Sequence, residues 1–142
     1  MISAPHKIII ATAALCLASC GAGNGEPMQN RYDGIGPNET IYLTGTEPFW
    51  NMKISAESLT YFTPESPVGR KAAVARFAGN GGLGVNGTLG GEALIIAVTP
   101  GDCSDGMSDR TYPFTATVGL GEDTLLGCGF TDSSGFTGEE SP

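Results

Sequence analysis

Between residues 41 and 130 the apolar side chains come in short bursts with a period of two. Phe49 to Ile54 places Trp50, Met52 and Ile54 in one phase and Asn51 and Lys53 in the other. Thr111 to Val118 alternates Tyr112, Phe114, Ala116 and Val118 with threonines and Pro113. Alternation of this kind predicts strands with one buried face. Further strands are expected at Ile41–Thr44, Leu59–Thr63, Lys71–Phe77, Ala93–Val98 and Thr124–Phe130. Gly79 to Gly82, Asn86-Gly87 and Gly90-Gly91 read as turns, with Asn86-Gly87 the strongest two-residue hairpin signal. Pro100 to Arg110 reads as a long loop. Connections this short allow antiparallel neighbours and no parallel crossovers.

Seven or eight short strands with turns between them predict an all-β domain, a small antiparallel β-barrel of the calycin-like meander type. Closure removes the exposed edges. A two-sheet β-sandwich is the alternative. Composition agrees, because 22 glycines in 142 residues and a charged fraction of 15% leave little material for helices.

The first nineteen residues follow a different rule. His6 and Lys7 precede an apolar run of about ten residues, Ile8 to Leu17, and small residues follow. This is the three-part layout of a secretory signal, and the run is too short to span a bilayer. It ends in Leu17-Ala18-Ser19-Cys20, which resembles the bacterial lipobox. That resemblance implies cleavage before Cys20 and a lipid on its thiol. Gly21 and Ala22, rather than Asp, follow the cysteine, which in proteobacterial lipoproteins implies release to the outer membrane. The expected organisation is a signal peptide at 1–19, a lipidated Cys20 with a flexible tether to residue 39, a barrel over 40–130, and an acidic disordered tail over 131–142. By coil statistics the tether reaches roughly 25 Å.

The mature chain then carries six basic and fifteen acidic side chains, a balance of −9. Nucleic acid is a poor partner for such a surface. Of the four cysteines, Cys16 leaves with the signal and Cys20 takes lipid. Cys103 and Cys128 remain, and an oxidising compartment favours a disulfide between them. A redox or metal-binding pair would be expected to show CxxC spacing, which is absent.

Three segments, Gly45-Thr46-Glu47-Pro48-Phe49-Trp50, Cys103 to Phe114 (CSDGMSDRTYPF) and Gly127-Cys128, resemble those of a family of small, largely uncharacterised bacterial lipoproteins. The likeness covers about residues 41 to 130 and implies location more than activity. The layout is more distantly similar to the lipid-anchored inhibitors of C-type lysozyme, which are small disulfide-bonded β-barrels.

Candidate chemistry concentrates in one loop. Asp102, Asp105 and Asp109, with Ser104 and Ser108, lie beside Cys103 and end at Arg110. Carboxylates and hydroxyls at this density suit Ca²⁺, although the spacing is not that of an EF-hand. The same residues close turns by accepting backbone N–H groups. A third reading is a recognition surface with Met107, Asp109 and Arg110 as contacts. Trp50 has two readings, a plug at one end of the barrel or a stacking platform for a ligand. The only histidine is His6, inside the signal, so histidine-based catalysis and the usual zinc ligand are lost with it. No catalytic residue, metal or cofactor is assigned.

The expectation is a non-catalytic binding module facing the periplasm. It is attached to the membrane through Cys20 and binds an envelope protein or a small hydrophobic ligand. Inhibition of a lysozyme or other hydrolase is one alternative. Carriage of a hydrophobic ligand in a cavity inside the barrel is another.

Overall fold

A computed structural model describes residues 31–139, and every regular element in them is a strand. In chain order these are β1 (Ile41–Thr46), β2 (Phe49–Ile54), β3 (Ser58–Thr63), β4 (Ser66–Ala78), β5 (Leu83–Leu89), β6 (Glu92–Ser104), β7 (Thr111–Leu120) and β8 (Asp123–Thr131). Each pairs antiparallel with the next. β8 returns to β1 from Ile41↔Thr131 to Thr44↔Cys128, closing an eight-stranded barrel rather than a sandwich. Among the described residues the eight strands, one core and the Cys103–Cys128 disulfide belong to a single barrel.

The alternation seen in the sequence sets which phase faces inward. Trp50, Met52 and Ile54 of β2, Leu94, Ile96 and Val98 of β6, and Phe114, Ala116 and Val118 of β7 are all at most 4% exposed. These side chains fill the interior, which corrects the expectation of an internal ligand cavity. A membrane-spanning barrel has the opposite arrangement, apolar outside and polar inside.

Trp50 is the largest fully buried side chain, and two glycines make room for it. Gly45, its partner across the β1–β2 ladder, lies against the indole, and Gly127 on β8 meets both the indole and the Thr44 carbonyl. Trp50 is therefore the plug, and with 0% exposure it has no face open to a ligand. Its Nε1–H finds no acceptor among the described residues, so packing outweighs a hydrogen bond whose loss costs about 1–3 kcal/mol.

Several expected boundaries move. Asn86-Gly87 is not a turn but lies inside β5, where Asn86 pairs with Ala75 and Ile95. The hairpin turn is taken by Gly90-Gly91, whose φ values of 62° and 90° are the left-handed pair that a tight hairpin requires. β4 begins at Ser66 rather than Lys71. β6 runs on to Ser104 through a register shift between Pro100 and Cys103, so the expected loop shrinks to 105–110.

Both ends of the domain also extend. Residues 31–39, expected as tether, form a strap in which Ile35 is 4% exposed and joins the core. Arg76, on the inward phase of β4, donates to the carbonyls of Gly36, Pro37 and Glu39. Gly36 N–H donates to Glu39 Oε1 at 2.8 Å, and with the Thr131 hydroxyl it holds that carboxyl below its usual range. At the other terminus the expected disordered tail is packed as far as it is described, because Thr137 bridges to Thr111 and Phe136 stacks into an aromatic cluster. Cys20 and the signal lie outside the described residues.

The cradle around Trp50 yields a stability prediction. Gly127→Ala should destabilise the protein by about 1–3 kcal/mol through overpacking. Gly81→Ala, where an added Cβ meets nothing, should stay within about 0.5 kcal/mol. Urea unfolding of both variants against the parent chain measures the difference.

Candidate functional site

The loop singled out by the sequence is held on the outside of the barrel. Past its bulge, β6 crosses toward β8, where the disulfide joins Cys103 to Cys128 with Cα atoms 5.6 Å apart. Cys128 occupies the outward phase of β8, opposite Thr44. In the chain-entropy model a bridge across 25 residues stabilises by about 3–4 kcal/mol. Thr46 Oγ donates to the Asp105 carbonyl at 3.2 Å and ties the loop to the end of β1.

Within the loop Asp105 does most of the ordering. Its carboxylate accepts from Met107 N–H at 2.9 Å, from Ser108 N–H and Ser108 Oγ–H at 2.8 Å each, and from Tyr112 O–H at 3.2 Å. The Met107 N–H and the other donors hold this carboxyl down at about 2. The turn-closing reading of the aspartates is therefore the one Asp105 follows. Asp102 and Asp109 are exposed, and among the described residues no three His, Cys, Asp or Glu side chains gather to hold a metal ion. Met107 is 63% exposed at the tip.

Beneath the loop runs a line of rings. Phe136 meets Tyr112 at 5.4 Å and Phe130 edge-on at 5.1 Å, and Phe130 stacks on Tyr42 at 4.9 Å. The Arg110 guanidinium lies over Phe136 at 4.3 Å, in the range of a cation–π contact. The GTEPFW, CSDGMSDRTYPF and Gly127-Cys128 segments are thus neighbours in space: Gly45 and Trp50 at the β1–β8 seam, Asp105 and Tyr112 beside it, and Cys128 joining them through the disulfide.

A second feature is absent from the sequence reading. Between the strap and the last residues of β4, 73 to 78, runs a groove of about 960 Å³ that takes in both phases of the strand. Tyr32, Ile35, Ala73, Ala75, Phe77 and Leu83 give it mostly apolar walls, and Arg31, Asp33 and Glu57 are exposed at its margin. Burial, with Glu39 and Asp33 nearby, pushes the Tyr32 hydroxyl above its ordinary value. Ligand sites in proteins commonly enclose about 300–1,000 Å³ and are largely apolar with a few polar groups. Tyr32 and Ile35 were the available signal, since they are the apolar residues of an otherwise Gly-, Asn- and charge-rich stretch. Arg76 gave no sign of its role, because its acceptors lie about 40 residues away.

The Asp105 network makes stability depend on acid. Its folded pKa lies below the ordinary carboxylate value of 3.8, so its contribution is fully present above pH 4 and is lost as pH falls toward 2. Unfolding free energy measured from pH 5 to pH 2 should fall less steeply in Asp105→Asn than in the parent chain. Parallel slopes would remove Asp105 as the cause. Comparison with protein-family models, curated proteins and solved structures finds no match for this chain, so the functional reading rests on these residues and their geometry.

Proposed function

We propose that the protein is a non-catalytic binding module held by a lipid on Cys20 at the periplasmic side of the outer membrane, recognising its ligand with outer surfaces of the barrel. The observation that carries the reading is the filled interior together with a mostly apolar groove outside it. One wall of that groove is the strap, which leads directly into the segment bearing Cys20. The signal-like leader and the Leu17-Ala18-Ser19-Cys20 sequence support the anchor. In the loop, the Asp105 carboxyl is engaged by four donors that close the turn.

A hydrolase inhibitor is a second reading, favoured by one observation. Met107 stands exposed on a loop fixed by the disulfide, by Asp105 and by Thr46. A contact presented this rigidly loses little entropy on binding.

One measurement tests the anchor and another separates the two readings. Intact mass of the chain extracted from membranes should show a start at Cys20 with acyl mass added, and an unacylated or uncleaved chain would sink the anchor. A panel of C-type lysozymes titrated with the protein should retain full activity on the first reading. Stoichiometric inhibition abolished by Met107→Asp would establish the second.

A further inference from the structure

β3 stops short of the end of β4. Their ladder reaches only to Ser58↔Ala73, one further bond runs from Val74 N–H to Glu57 O, and there the β2–β3 turn, closed by Ser55 N–H on Ser58 O, takes the chain away. From Ala75 to Ala78 the strand is laddered to β5 alone. Main-chain groups alternate sides along a strand, and Val74 aims its N–H at β3, so Arg76 and Ala78 aim theirs the same way. Among the described residues these two N–H and two C=O groups have no partner on that side. The open stretch ends where Tyr32 N–H donates to Gly79 O, and the walls of the groove include both Arg76 and Ala78. Whatever fills the groove takes water from this edge. A hydrocarbon chain would leave its amides buried without partners, at about 1–3 kcal/mol each. An extended peptide pairs them, as a strand added to a sheet edge does.

We propose that the groove takes up an extended segment of a partner protein, apolar at alternate residues and flanked by lysine or arginine, as an antiparallel strand added to β4 in the line that β3 leaves. It names the ligand class of the binding module proposed above and rests on that reading. Val74 to Gly79 is roughly 17 Å of edge, the length of about five extended residues. The strap stands opposite and leaves about 960 Å³, room for one strand and not for a second barrel. Residues that pair with Arg76 and Ala78 share their inward phase, where Ile35 and Leu83 are the buried apolar neighbours in the groove. The residue between them lies outside, beside the exposed Phe77. At the rim Asp33 and Glu57 outnumber Arg31, on a chain of net charge −8, so charge complementarity selects a basic segment.

The test uses the full chain as purified from the cells that make it, titrated into a fluorescently labelled, end-blocked heptapeptide Lys-Thr-Val-Thr-Val-Thr-Lys with anisotropy as the readout. Saturable 1:1 binding is expected, and a photoreactive group on the central threonine should cross-link to residues 31–38, 56–57 or 73–78. The two valines pair with Arg76 and Ala78, so N-methylation of both should weaken binding about tenfold or more, whereas N-methylation of the central threonine should be tolerated. Ala78→Pro, which removes one edge donor, should weaken binding by a similar factor. Asp33→Asn combined with Glu57→Gln should weaken it and flatten its dependence on salt. Ile95→Ser, on the 62%-exposed site of β6, should leave it unchanged. Thermal melts show which variants have folded, and the methylated peptides need no variant. No saturable binding, cross-links outside those residues, equal loss on methylating the threonine, or displacement of the peptide by a lower concentration of decanoate would each overturn the proposal. The anchor is read separately from the intact mass of the same preparation. An acylated chain that binds decanoate but no peptide fails the added strand alone, and an unacylated chain that binds the peptide fails the anchor alone.

Discussion

The β1–β8 seam is where this barrel either closes or does not, and the fit of one indole decides it. Trp50 occupies space that would otherwise hold side chains at positions 45 and 127. With glycine at both, β8 approaches β1 closely enough to pair from Ile41↔Thr131 to Thr44↔Cys128. Closure pairs the edges of β1 and β8 that an open sheet would leave free, and the core then completes around the plug. The unpartnered Nε1–H shows how far steric fit outweighs hydrogen bonding at this point.

Closure at that seam also fixes what lies outside it. Cys128 sits next to Gly127 and faces outward, so the register that admits the tryptophan presents the thiol to Cys103. The end of β6, the loop with Asp105 and the line of Tyr112, Phe130 and Phe136 then form a second, smaller layer over β7, β8 and β1. On the opposite flank the strap does the same with different chemistry, using one buried isoleucine and one arginine in place of a disulfide. The barrel is thus a filled scaffold whose distinctive chemistry is on its exterior.

The strands that were legible in the sequence are those in which apolar alternation and the pleat agree, such as Phe49–Ile54 and Thr111–Val118. Leu83–Leu89 was not legible, since Gly84, Asn86 and Gly87 carry the composition of turns, and only the ladders on both sides hold them extended. The pairing of Cys103 with Cys128 could be read by elimination, and Asp105 could be placed among residues that close a turn. The strap and the end of the chain could not be read. The strap is seated by Ile35 and Tyr32 and the end of the chain by Phe136, each against partners far away in sequence. The groove follows from the strap and was hidden with it.

Arg76 has a mechanical consequence. Tension applied at Arg31 travels along the strap before it reaches β1, and the strap is clasped to the barrel by the Arg76 hydrogen bonds to Gly36, Pro37 and Glu39. The Tyr32 N–H bond to Gly79 O is met first, then the seat of Ile35 and those bonds, all before the β1–β8 ladder behind them. A tug on the N-terminal side would therefore peel a short ribbon and spare the closure of the barrel. The same ribbon is one wall of the groove, so pulling on it changes the width of the recess without unfolding anything else.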